Sequence, residues 1–391
     1  MKQFGHISFA VALGVAPLVL AQTEGPITQE GRYWARTISG MVAPIPQDHF
    51  RLDTVGNVVV RGTSGDKATF QVRIRVRARD AREAEAMFRE FDATPRMQGG
   101  WFRMNVTAPS RTVEPPELQM AIPRSMQQVW IETRAGNVEA QDLDGEVEAR
   151  SAAGQVVLDG IKGKCGIRTG GGDIQIGTVG GGVRAYSGAG VIRVQSTGGE
   201  SWFDTAGGEI FVHQAAGPVH AATAGGNIRI DRASGAVFAR TAAGLIEVQQ
   251  ADGIVTAESS GGAIQVNSAN GVHCDSTGGA IRLRNVAGPL RASTAMGSIM
   301  AELLSGNRIQ DSTLSTNAGD ITVLISSKIP LTVQARNESA GGRIISEFPE
   351  IPSKGGQIGF TPVVAQGALN GGGPVLHIVV IDGTIYLRRQ K

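Results

Sequence analysis

Little in this sequence binds it together covalently or fills a wide core. The 391 residues include two cysteines, so a disulfide framework cannot be the organising device. Aromatic residues make up 5%, too few for a broad globular interior, and a narrow one lined by Val, Ile and Ala accounts for that scarcity. Proline is limited to 16 residues beside 54 glycines, and the glycines recur at intervals of 9 and 18 rather than 3, which excludes collagen and flexible linker chain alike. The formal net charge is +2, so overall charge argues for no nucleic-acid partner. Beyond the first twenty residues no apolar run reaches the roughly 18 residues of a membrane-spanning helix, and no membrane span is expected.

The start of the chain reads as a secretory leader, residues 1–21. Lys2 supplies the basic end, Ile7–Leu20 is mostly apolar, and Val19-Leu20-Ala21 suits cleavage. The mature protein is then expected in the periplasm, on the cell surface or outside the cell.

What the sequence has in abundance is a period. Gly136, Gly154, Gly172, Gly190, Gly208, Gly226, Gly244 and Gly262 follow one another at 18 residues, continuing less strictly to Gly319. A second series from Gly145 to Gly288 runs halfway between them. A strict short period marks a solenoid. Two and four residues after each first-series glycine stand pairs such as Ile174/Ile176, Ile210/Val212 and Ile246/Val248, the inward face of a parallel sheet. After the second series the inward column is Val, Ala and then Ser or Thr, as in Val183/Ala185/Ser187. The hydroxyl should bond the turn backbone or the neighbouring rung, and the glycines should supply positive φ at the corners. The predicted fold class is all-β: a parallel β-solenoid with 18-residue, two-strand rungs over 126–325. On that register Cys165 and Cys274 lie six rungs apart, about 29 Å at the usual strand spacing, too far for a disulfide.

The flanks carry less pattern. Residues 22–40 read as a flexible mature N-terminus. Residues 41–125 read as a small α+β cap, with strands over Phe50–Val60 and Thr69–Arg79 and one helix. Asp80 and Glu83 form the capping box of that helix, and Ala84, Met87, Phe88 and Phe91 its apolar stripe. Residues 326–391 read as irregular final rungs and a C-terminal cap, with the apolar run Val375–Ile381 closing the stack.

The strand-to-proline entry Met120-Ala121-Ile122-Pro123, the tandem Thr-x-x-Gly-x-Ile-x-Val units and the closing Gly383-Thr384-Ile385-Tyr386-Leu387 resemble the bacterial putative-adhesin β-strand-repeat family, largely a domain of unknown function. The resemblance spans about residues 40–391. It implies an exported adhesin-like protein and brings no catalytic residues.

No chemistry-bearing constellation emerges from the residues. Polysaccharide-cleaving β-helices need carboxylates on neighbouring rungs, yet Asp204 and Glu258 stand three rungs apart. His49, His213, His220, His273 and His377 show no ligand spacing. The glycine runs precede strands, not helix N-termini, so no phosphate loop is expected. No enzyme, metal or cofactor is expected. One outward feature differs from the rest. Three residues after successive second-series glycines stand Arg184, Trp202, His220 and Phe238, with Tyr186 and Arg240 beside them. Rings in a row with flanking arginines suit stacking on sugars and pairing with acidic groups; the plainer reading is a ladder that supports the sheet. A second basic stripe, Arg73/Arg75/Arg77/Arg79, suits anionic polysaccharide or lipid head groups, or is simply a solvated strand face. The function expected is an exported, non-enzymatic adhesin or envelope-binding scaffold whose partner is a polysaccharide or a cell-surface or envelope component. The alternatives are a carbohydrate-active β-helix enzyme on acidic polysaccharide and an envelope structural or signalling protein that binds a protein partner.

Overall fold

The computed structural model describes residues 19–43, 45, 47–107, 114–304, 308–339, 342–355 and 362–390. The expected leader, residues 1–21, lies outside them except for residues 19–21, which belong to the strand Val19–Glu24. The chain is a parallel β-solenoid of two long sheets, 19 and 18 strands among the described residues. One sheet carries the strands that follow the first glycine series, such as Ile192–Thr197 and Ile210–Ala215; the other carries those that follow the second series, such as Val183–Ser187 and Ser201–Thr205. Each strand pairs in parallel with its counterpart one repeat on, so Ile192, Ile210, Ile228 and Ile246 form one buried column. The inward residues of both sheets merge into one continuous core.

Two local devices hold rung to rung. The corner hydroxyls are bonded on both sides: Ser187 Oγ donates to the Gly172 carbonyl of the preceding rung at 2.8 Å and accepts from the Gly190 N–H at 2.8 Å. The same pair of bonds recurs at Ser151, Thr169, Thr205, Thr223 and Thr241. The glycines do something other than expected. From Gly154 to Gly262 none of the first series has a left-handed φ; only Gly136 and Gly319 do. They are glycines because a Cβ on each would overlap the carbonyl of the glycine one rung before, as Gly190 would overlap Gly172. Close stacking of corners, not turn conformation, excludes a side chain.

The ends are interleaved. In the second sheet His49–Thr54 lies between Trp101–Asn105 and Gln128–Thr133, and in the first sheet Asn57–Thr63 lies between Glu117–Pro123 and Val138–Gln141. The earliest rung in the chain is thus covered by a later one. At the other end Val375–Asp382 lies between Ser312–Ala318 and Leu331–Asn337, and Thr384–Arg389 lies between Ile321–Ile325 and Arg343–Ser346. The run Val375–Ile381 therefore does not close the stack; it slides under Leu331–Asn337, which is itself covered by the antiparallel strand Val363–Leu369.

The single strand expected over Phe50–Val60 is two, His49–Thr54 and Asn57–Thr63, turning at Gly56. Gly56 occupies a first-series corner: a Cβ there would overlap the Pro116 carbonyl. Residues 22–40 contribute to the strands Val19–Glu24, Thr28–Glu30 and Tyr33–Ala43, the last paired antiparallel with Ala68–Val76. The helix Ala81–Phe88 is capped as expected: Asp80 Oδ1 accepts from the Glu83 N–H, and Glu83 reaches back to the Arg79 N–H. Ala84 and Phe88 are buried, and Met87 and Phe91 pack at the margin.

Candidate functional site

Alternation turns every second residue of a solenoid strand outward, and parallel in-register pairing stacks those residues into columns. On the second sheet one outward column reads Trp130, Glu148, Gly166, Arg184, Trp202, His220, Phe238 and Thr256. The column beside it reads Glu132, Arg150, Arg168, Tyr186, Asp204, Ala222, Arg240 and Glu258.

The expected aromatic row is a true stack. Trp202 and His220 lie 5.0 Å apart between centroids with 7° between planes, and His220 and Phe238 lie 4.7 Å apart with 6° between planes. The Arg184 guanidinium covers the other face of the Trp202 ring at 4.8 Å. Phe238 is exposed, and Trp202 and His220 are half-buried on a face open to solvent. This geometry alters the chemistry expected of the row. The faces of Trp202 and His220 are spent on one another, on Arg184 and on Phe238, so sugars cannot stack on them. What the row presents outward is ring edges, the electropositive part of an aromatic.

The six expected residues do not form one cluster. Arg184, Trp202, His220 and Phe238 share a column. Tyr186 and Arg240 share the neighbouring one, three rungs apart with Asp204 and Ala222 between them. Arg240 faces Glu258 at 3.6 Å, an exposed pair. Tyr186 instead lies under the Arg168 guanidinium at 4.9 Å.

Arg150, Arg168 and Glu200 join the six expected residues. Arg150 lies over Trp130 at 4.3 Å, so Arg150, Arg168 and Arg184 each rest on an aromatic ring. Glu200 meets His220 Nε2 at 3.1 Å. Gly166 leaves a gap in the first column, and the Glu148 carboxylate folds over its bare backbone. A shallow depression follows, lined by Glu148, Arg150, Gly166, Arg168, Arg184 and Asp204 among others. Burial holds the Asp204 carboxyl above the ordinary range, a shift that nearby His220 opposes. The signal for Arg150 and Arg168 was available in the sequence: they stand five residues after Gly145 and Gly163, the next outward position along each strand.

The other candidates are weaker. Of the basic stripe, Arg73 pairs with Glu30 at 2.7 Å, Arg75 with Glu114 at 2.9 Å and Glu117 at 3.1 Å, and Arg79 with Glu83 at 3.3 Å, so most of its charge is neutralised in place. At His273, Asp275 and Ser293 the aspartate stands between the other two: Ser293 donates to Asp275, and His273 Nε2 lies 2.8 Å from it. A serine nucleophile needs the base on its own hydroxyl, and this order does not provide it. Among the described residues no group of three His, Cys, Asp or Glu could hold a metal ion, and no helix is long and apolar enough to cross a membrane.

No family model matches the chain, and no curated protein does. Among solved structures it is similar to a "putative cell adhesion protein" from Clostridium sporogenes, with 8% identity over 91% of this chain and 100% of that one and a TM-score of 0.19. A "putative adhesin" from Bacteroides fragilis shares 12% identity over 75% and 97%, TM-score 0.20. A "putative lipid binding protein" from Parabacteroides distasonis shares 9% over 91% and 97%, TM-score 0.21. Superpositions this loose carry no argument about function.

Proposed function

We propose that the chain is an exported, non-enzymatic β-solenoid that binds a polysaccharide or another cell-envelope component through the outer face of its second sheet. The observation that carries this reading is the stack Arg184–Trp202–His220–Phe238, standing on a solvent-open face of a rigid sheet. Such a stack costs little to present, because each ring is held by its neighbours before any ligand arrives. Pre-organisation of this kind lowers the ordering cost of binding. A glycan array probed with the wild type and with Trp202→Ala/Phe238→Ala tests it. Binding that the double variant loses supports the reading. An array on which nothing binds, or on which both proteins bind alike, contradicts it.

A further inference from the structure

Three guanidiniums meet around Gly166. Arg150 and Arg168 are direct partners in the parallel register, and Arg184 stands one rung beyond Arg168 in the next column, opposite Gly166. All three are exposed. Like charges on adjacent strands repel, and elsewhere on the outer faces arginines are commonly offset by carboxylates: Arg51 by Asp53, Arg229 by Asp231 and Glu247, Arg284 by Glu302. Here the only fixed partners found among the described residues are rings, at 4.3, 4.9 and 4.8 Å. A ring takes one face of a guanidinium and leaves its N–H groups free to donate at the edge. Planar N–H forks match carboxylate and sulfate oxygens. The ring edges of Trp202 and Phe238 extend the same electropositive strip along the axis, with the His220 edge between them taken by Glu200. Two carboxylates lie within the depression and temper the field: Asp204, and Glu148, which lies over Gly166 itself and must swing aside or share the arginines when an anion binds. That favours anionic groups placed close to the three arginines.

We infer that this strip is a binding site for a polysaccharide bearing carboxylate or sulfate groups, with Arg150, Arg168 and Arg184 holding the anionic substituents beside Gly166. The inference rests on the reading that this face binds a glycan, and it specifies the kind.

The test is titration of the full chain with polygalacturonate, dextran sulfate, neutral dextran and a single-stranded oligonucleotide. The proteins compared are the wild type, Arg150→Ala/Arg168→Ala/Arg184→Ala, and a control, Arg193→Ala/Arg282→Ala, which removes two exposed arginines of the other sheet. Thermal melts confirm that each variant folds. The expected result is binding of an acidic polysaccharide that weakens as salt rises and falls by roughly tenfold or more in the triple variant, as loss of charge-assisted bonds should cause. The control variant should bind like the wild type. Equal binding by the triple variant, equal loss in the control, or an oligonucleotide that binds as well as the polysaccharides would overturn the inference. Binding of neutral dextran with the polyanions silent would overturn it while leaving the broader glycan reading standing. Silence from every glycan defeats both.

Discussion

At the residue scale the repeat is a matter of what a corner can hold. Gly170, Gly171 and Gly172 look equivalent in sequence, but the structure separates them. A Cβ on Gly172 would overlap the Gly154 carbonyl, whereas one on Gly171 would meet nothing within 4 Å. Gly172→Ala should therefore cost several kcal/mol, on the order of 3 or more, because backbone must move. Gly171→Ala should stay within about 0.5 kcal/mol of the wild type. Urea midpoints for the two variants check this directly, and similar midpoints would refute the stacking explanation. The two thiols provide a second test. Burial pushes Cys165 and Cys274 up to about 12 from an ordinary value of 9.0. The raised values favour the neutral thiol in the folded state, so their contribution to stability is whole below the ordinary range and is lost as pH climbs toward 12. At pH 8 neither should react with a thiol reagent until the protein is unfolded; rapid labelling of the native chain would show that the core is not closed over them.

At the element scale the ends behave unlike the middle. An interior rung follows its neighbour in both chain and space, and that order was legible because the period announces it. The interleaving was not legible. Val375–Asp382 is an apolar run in which nothing local distinguishes a final strand from one inserted beneath Leu331–Asn337, since pairing partners some forty residues apart leave no mark on either segment. Gly56-Asn57-Val58 carries the corner signature, but it stands alone outside the periodic stretch, where the apolar residues on either side look like one continuous strand. The ring stack lay between these cases. The column of Trp202, His220 and Phe238 follows from spacing, while the use of their faces depends on side-chain rotation, which spacing does not encode. A consequence of interleaving is that the C-terminus is no loose end. Truncation after Pro374 removes the strand between Ser312–Ala318 and Leu331–Asn337, leaving the latter without a parallel partner. The truncated chain should lose ordered structure back to residue 331 and melt well below the wild type, as hydrogen exchange along the chain would reveal. Retention of full protection in Leu331–Asn337 would show that the inserted rung is dispensable.

At the scale of the whole molecule the protein is a solenoid with two broad outer faces of different character. The regular positions are taken up by stacking: branched aliphatics inward, hydroxyls at one corner, glycines where rungs approach. The binding proposed above falls to irregular outward positions, on the second sheet between Arg150 and Phe238. There, arginines rest on rings, rings rest on one another, and a depression lies among them where the Glu148 carboxylate covers Gly166. On the proposed function this face, and not the other, meets the ligand. Hydroxyl-radical footprinting of the full chain with and without bound acidic polysaccharide is the test. Oxidation of Tyr186, Trp202 and Phe238 should fall on binding, while Phe211 on the first sheet and Met296, which is 68% exposed at a corner, should be oxidised as before. Protection of Phe211 or Met296 with Tyr186, Trp202 and Phe238 unchanged would contradict it.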